Sequence, residues 1–220
     1  MIELRKYMHV LSVLIILSLC VSVNTWANVD ARDLIAAAAS GNLFRVKALL
    51  AAKADVNAKA DNGVTALIAA SENGYEEVVK MLLEAKADVN AKTNNGTTAL
   101  MLASQKDHGQ VVQELLAAKS DVNARRDDGV TVLMQASQEG HRQIVQILLT
   151  AKADVNARLG NGATALMLAS QMGHVGVIQT LLAAKVDVNA KAGNGATALM
   201  LASKYHRQEV ATLLKEAGAR

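Results

Sequence analysis

The chain of 220 residues has a formal net charge of +3, and 51% of its residues are hydrophobic. This near-balance of charge argues against a nucleic-acid-binding protein, and the apolar fraction is ample for a core. Aromatic residues make up only 2% of the chain, and proline is absent. A core built from Ala, Leu and Val with so few large rings favours closely packed helices over a β-sandwich or a barrel.

The first segment has the three parts of a secretory signal peptide. Arg5 and Lys6 precede an apolar run over residues 10–23, and Thr25 and Ala27 are small residues at positions −3 and −1 of a cut after Ala27. The run is shorter than the roughly 20 apolar residues that span a bilayer comfortably. We therefore expect residues 1–27 to direct export to the periplasm or out of the cell and then to be removed. The alternative is an uncleaved inner-membrane anchor formed by residues 10–23.

One pattern recurs through the rest of the chain. The tetrapeptide Asp-Val-Asn-Ala begins at residues 55, 88, 121, 154 and 187, so that every interval is 33 residues. The same step relates columns of glycine and threonine, which begin at Gly63 and Thr65, and a column of paired leucines that begins at Leu82 and Leu83. Several columns in one register predict a stack of similar units, each of which buries its apolar face against its neighbours.

Each unit has the pattern of two helices. Thr65 precedes an apolar segment, where its hydroxyl is placed to cap the first free amides of a helix. Gly74 can adopt the left-handed conformation that ends this helix. Val78, Val79 and Leu82 then form the apolar stripe of a second helix. A turn-rich connection that contains the Asp-Val-Asn-Ala motif leads to the next unit.

These features resemble those of ankyrin repeats. The shared features are the 33-residue period, the Gly-x-Thr-x-Leu-x-x-Ala core, Gly-His at 140–141 and 173–174, and the Ala-Asp-Val-Asn-Ala ending. The resemblance implies an all-α repeat solenoid, residues 28–220, of helix–turn–helix units joined by β-hairpin-like loops. We count a degenerate N-terminal cap at 30–57, full units at 58–90, 91–123, 124–156 and 157–189, and a C-terminal cap at 190–220.

Two columns depart from the family pattern. Where the family usually has histidine, this chain has Ile68, Met101, Met134, Met167 and Met200. We interpret this column as core packing in preference to an adaptable methionine surface for a partner. In the cap at 190–220, Lys215 takes the place of a buried leucine column, which indicates that nothing stacks beyond it.

The second departure is a column of lysines where the family has the glycine that closes helix two: Lys53, Lys86, Lys119, Lys152 and Lys185. We expect left-handed backbone at these lysines. The favoured interpretation is that cations suit a helix C-terminus. The alternative is a basic ladder that contacts an anionic partner. The aspartates two residues further on would largely neutralise such a ladder.

No residues have the spacing of a catalytic site, a cofactor site or a metal site. His108, His141 and His174 share a column. However, neighbouring helices lie roughly 8–10 Å apart, so one ion with bonds near 2 Å cannot join them. We therefore expect neither an enzyme nor a protein with a metal or cofactor.

The resemblance implies that the hairpin tips and first helices form a concave surface that binds another protein. Residues 160–170 and 193–203 are identical, so the contacts specific to this protein should lie where the units differ. Neither the charged tip at 125–128 nor Gln105-Lys106, just before Asp107 where four other units have Gly, is expected to be needed for stacking. The candidate contact residues are Lys92, Asn94, Gln105, Lys106, Arg125, Arg126, Asp127, Asp128, Gln138, Arg158, Gln171, Met172, Lys204 and Tyr205.

Three functions are compatible with the sequence. The first is an exported, monomeric module that binds a protein partner, with no nucleic acid and with membrane contact only through an uncleaved first segment. The second is a periplasmic stability or assembly factor for an enzyme. The third is a small-ligand protein, which is disfavoured because the groove lacks the aromatic lining that such pockets prefer.

Overall fold

The computed structural model describes residues 31–220, in which twelve helices form six consecutive pairs. The predicted signal peptide at 1–27 and the alternative anchor at 10–23 lie outside the described residues. None of the helices in the described part has the length and apolar character that a bilayer crossing requires. The helices are α1 Ala31–Ala39, α2 Leu43–Ala51, α3 Ala66–Glu72, α4 Glu76–Glu84, α5 Ala99–Gln105, α6 Gly109–Ala117, α7 Val132–Glu139, α8 Arg142–Thr150, α9 Ala165–Met172, α10 Val175–Ala183, α11 Ala198–Lys204 and α12 Gln208–Glu216.

The pairs stack in chain order. Each first helix packs against its own second helix and against the first helix of the next unit, and the second helices pack in a parallel row of their own. Two of the connecting loops contain an isolated antiparallel bridge, between Lys92 and Thr98 and between Arg125 and Thr131. The predicted all-α repeat solenoid is confirmed.

Threonine caps begin the first helices of units two to six, as predicted. The hydroxyl of Thr65 accepts a hydrogen bond from the backbone N–H of Ile68 at 3.3 Å, and Thr98, Thr131, Thr164 and Thr197 make the equivalent bond. The first unit lacks this threonine. There Arg32 and Asp33 lie within α1, which is longer than α3.

The column that replaces the family's histidine fills the core in four units. Ile68, Met101, Met134 and Met167 are each at most 1% exposed. Met200, in contrast, is 58% exposed, because no further helix pair within the described residues covers its face. The leucine column that Lys215 terminates is half-buried, where we predicted it to be buried. The fully buried leucines are their neighbours one residue earlier, among them Leu82 and Leu214.

The Asp-Val-Asn-Ala motif joins neighbouring units. Within the motif, a carboxylate oxygen of Asp55 accepts a hydrogen bond from the backbone N–H of Asn57 at 2.9 Å. The amide oxygen of Asn57 then accepts from the backbone N–H of Asp88, in the next unit, at 2.7 Å. The same link recurs from Asn90, Asn123, Asn156 and Asn189. Sequence reasoning interpreted the motif only as a turn and missed this link.

Candidate partner-binding surface

The lysines that close the second helices have left-handed backbone, as predicted. Their φ angles lie between +59° and +71°. We call Lys53, Lys86, Lys119, Lys152 and Lys185 the lysine loop row. All five are exposed. No ion pair joins them to the following aspartates within residues 31–220, where those carboxylates accept backbone N–H groups.

A second row of cations runs along the hairpin tips, and we call it the tip row: Lys59, Lys92, Arg125, Arg158 and Lys191. Lys59 Nζ donates a hydrogen bond to the carbonyl of Lys92 at 3.2 Å, and Lys92 Nζ donates to the carbonyl of Arg125 at 3.2 Å. Arg125 Nη1 donates to the carbonyl of Arg158 at 2.9 Å, and Arg158 donates to the carbonyl of Lys191. Each bond spans one unit, so the row is continuous.

The hydrogen bonds of Arg125 show that one prediction was wrong. We expected the charged tip at 125–128 to be dispensable for stacking. Arg125, however, bonds to the carbonyl of the next unit and also to the carbonyl of Gly129 at 3.3 Å. Its role in the stack is therefore the same as that of Lys59 and Lys92, and the cation at this position serves the fold as well as the surface.

Other predicted tip residues also bond across units. Asn94 Nδ2 donates to the carbonyl of Asp61 at 2.9 Å, and the backbone N–H of Asn94 donates to Asn62 at 3.0 Å. The backbone N–H of Asp127 donates to the carbonyl of Asn95 at 3.2 Å. These bonds fix the loop backbone, while Asp127 remains exposed and its carboxylate lies beside Gly96 of the preceding unit.

Arg126 and Asp128 form an ion pair within a single tip. Arg126 Nε donates to Asp128 Oδ1 at 3.1 Å, and Arg126 Nη2 donates to Oδ2. This hydrogen bonding lowers the pKa of Asp128 below its usual range and raises the pKa of Arg126. Both groups therefore stay charged near neutral pH, and each largely neutralises the other.

The ends of the first helices form a third row. The backbone carbonyls of Gln105, Gln138 and Gln171 each accept a hydrogen bond from the next unit. The donors are His141 Nε2 at 2.9 Å, His174 Nε2 at 2.8 Å and Arg207 Nε at 3.1 Å. His108 bonds to the carbonyl of Glu72 in the same way. This contact is the structural role of the histidine column, which sequence reasoning missed although the column itself was visible.

The side chains at these helix ends differ from unit to unit. Lys106 and Gln138 are exposed, and Gln171 is half-buried. At the end of the stack, Met172 is 44% and Tyr205 is 39% exposed, and Lys204 Nζ lies 5.6 Å from the centre of the Tyr205 ring. The tip row and this third row, at the ends of the first helices, are separated by the length of a first helix, roughly 10–12 Å.

The described residues hold no group of three or more His, Cys, Asp or Glu side chains that could bind a metal ion. Two shallow depressions between α6 and α8 are lined by Gln113, Gln146 and Ile147, with Leu116 in one and Asp107 in the other. Neither depression has an aromatic residue in its lining. Both lie mainly on the second helices, and the one lined by Asp107 reaches the end of a first helix beside Lys106.

A family model for ankyrin repeats in three copies matches residues 34–126, 87–159, 110–192 and 133–220. The chain belongs to the ankyrin-repeat family. The resemblance drawn from the repeated motifs is thereby confirmed. Comparison with curated proteins found no match. Ankyrin repeats generally act as protein–protein interaction modules, and the family is typically non-catalytic.

Proposed function

We propose that this ankyrin array binds a partner protein along its concave side, through the hairpin tips and the ends of the first helices. The observation that carries the proposal is that the tip side chains and the backbone at the ends of the first helices stand in rows bonded from unit to unit. Lys92 and Arg125 in one row and the carbonyl of Gln105 in the other are held by contacts with their neighbours. A surface ordered in this way loses little conformational entropy when a partner binds.

Side chains that differ between units supply specificity on this surface. The array offers Arg126 and Asp128 at one tip, Lys106 at one helix end, and Met172 with Tyr205 near the last unit. With so few aromatics, the interface has polar anchors at its centre and apolar contacts at one end. Such an interface gives a moderate affinity that weakens with salt.

A double charge reversal tests the proposal. Once affinity purification and mass spectrometry have supplied a partner, Arg126→Glu with Lys106→Glu should weaken its binding by about tenfold or more. The melting curve should change little, since exposed charges contribute roughly 0–1 kcal/mol to stability. The control is Lys86→Glu with Lys152→Glu, which makes the same change in net charge in the lysine loop row.

Binding that survives the first pair of substitutions would contradict the proposed site. It would move the contact to the second helices, around Glu76, Gln110 and Gln143. Equal losses in both double variants would point to a general effect of charge.

We further propose that the protein acts after export, which rests on the basic start, the short apolar run and the small residues before the cut after Ala27. N-terminal sequencing of protein from the native host should then find Asn28 as the first residue. An intact Met1 in the membrane fraction would favour the anchor at 10–23. An intact Met1 in the soluble cytosol would contradict export altogether.

A further inference from the structure

The tip row is the only one of the two cation rows that leaves a net positive surface. In the lysine loop row, every lysine is followed two residues later by an exposed aspartate, so the two columns balance. In the tips, Asp61 lies 3.7 Å from Arg32, Asp128 is paired with Arg126, and Asp127 is the one further carboxylate, against the five cations of the row. The tips of units five and six, at 158–161 and 191–194, contain no carboxylate at all.

Four of the five cations of the tip row are also fixed in position. Lys59, Lys92, Arg125 and Arg158 each use one or two N–H groups on the carbonyl of the neighbouring unit or their own loop. A lysine ammonium has three N–H donors and a guanidinium has five, so donors remain for a ligand on each side chain. All five side chains are exposed. The row is thus a line of charges with one cation in each of units two to six, four of them held in place.

The spacing of this line fits an extended polypeptide. Packed helices of neighbouring units lie roughly 8–10 Å apart, and an extended chain advances about 3.3 Å per residue, so about every third residue of such a chain meets a new cation. We propose that the tip row binds an extended acidic segment of the partner, with a carboxylate at about every third residue. This inference rests on the proposed function, because it specifies the chemistry of the same partner.

The residues beside the row favour a peptide over a single-stranded nucleic acid. Single strands are bound by cationic grooves that also carry aromatic side chains on which the bases stack. The five tips contain no aromatic residue; they comprise residues 59–62, 92–95, 125–128, 158–161 and 191–194. Carboxylates need only the charge and the remaining N–H donors, both of which the row supplies.

Two labelled peptides of one composition test the spacing. The first consists of five Asp-Ser-Thr triplets, and the second has the same residues with the five aspartates in succession. In fluorescence anisotropy with the full chain, the triplet peptide should bind about tenfold more tightly than the block peptide, and its affinity should fall as salt rises. Equal affinities for the two peptides, or tighter binding of a labelled oligothymidine, would overturn the proposal.

Two triple variants of equal net charge test the location. Lys92→Gln with Arg125→Gln and Arg158→Gln should weaken binding of the triplet peptide by about tenfold or more. Lys86→Gln with Lys119→Gln and Lys152→Gln, in the lysine loop row, should change its affinity by less than about twofold. Equal losses in the two variants would overturn the assignment to the tip row.

A single variant covers the case in which the first triple variant fails to fold. Lys191 donates no hydrogen bond within the described residues, so Lys191→Gln removes a charge of the row without removing a contact of the stack. This variant should weaken binding of the triplet peptide by about threefold. If the acidic peptides do not bind but Arg126→Glu with Lys106→Glu still weakens the native partner, this inference fails while the proposed function stands.

Discussion

Each unit has a left-handed residue after each of its two helices, and the two positions are filled by different amino acids. The position after the first helix is glycine in four units, Gly41, Gly74, Gly140 and Gly173, with φ between +67° and +86°. The position after the second helix is lysine in five units, with φ between +59° and +71°. The backbone conformation is similar in both loops, so φ alone does not decide which residue is present.

The difference follows from what packs on each loop. A Cβ atom added to Gly74 would lie 2.6 Å from the ring of His108, and one added to Gly140 would lie 2.7 Å from the ring of His174. After the second helix, the one glycine is Gly218, where an added Cβ would meet nothing within 4 Å. Glycine at the first position therefore gives most room to the side chain of the next unit. Asp107 is the exception, since His141 keeps its bond to the carbonyl of Gln105 at 2.9 Å beside the Cβ atom of Asp107. At the second position a side chain has space, and the only cost is local strain, which is roughly 1 kcal/mol.

The largest expected effect is that of Gly140→Ala. The substitution adds left-handed strain and forces the His174 ring away, which together should lower the free energy of unfolding by roughly 2–4 kcal/mol. Urea denaturation measures the change. If it were no larger than the strain alone, the ring would not be what requires glycine at this position.

A double-mutant cycle isolates the contribution of the His174 ring to the loss of unfolding free energy. In the background of His174→Ala, Gly140→Ala should cost only the strain of about 1–2 kcal/mol, because the clashing ring is gone.

Lys119→Gly should have a smaller effect and the opposite sign. Relief of strain contributes about 1 kcal/mol, and the added freedom of the unfolded chain offsets part of it, so a gain of roughly 0–1 kcal/mol is expected. Lys119→Ala is the control, since alanine keeps the strain and should leave stability nearly unchanged. Clear destabilisation by glycine in a urea melt would mean that the lysine side chain makes a stabilising contact.

The smallest expected effect is that of Asp107→Gly. Asp107 stands in the first position with φ +61°, and its carboxylate lies 3.8 Å from His141 Nδ1. Aspartate tolerates left-handed backbone better than most residues, and an exposed ion pair contributes little, so thermal melts should differ by less than about 0.5 kcal/mol. A large gain would show that this carboxylate strains the contact with His141 as the extra methyl group does at Gly140.

The sequence sufficed for features that lie within one unit. The cap at Thr65 and the left-handed Lys119 were predicted correctly, because each depends on neighbours a few residues away. The core packing of Met134 was predicted from its place in a column that repeats every 33 residues. The hydrogen bonds from Asn57, Arg125 and His141 to the next unit were missed. They join atoms 29 to 36 residues apart, and a repeated column shows that such a position is constrained without showing which atom it contacts.

The role of the tip cations in the stack was predicted less well, for a related reason. A charged residue at a loop tip was assumed to be free for a partner, yet Lys92 and Arg125 also bond to the stack. Sequence alone does not separate these two uses, since both leave an exposed cation in the same column. Only the position of the acceptor carbonyl in the next unit distinguishes them.

The short reach of these bonds also bears on how the chain becomes folded as it is made. Every side-chain hydrogen bond between neighbouring units joins residues at most 36 positions apart. A unit that has left the ribosome can therefore complete its contacts as soon as the following unit emerges, with no need for the remainder of the chain. Low contact order of this kind favours rapid folding, and domains built in this way can fold from the N-terminus during synthesis. The second helix pair can thus be in place on the first while the last is still being translated.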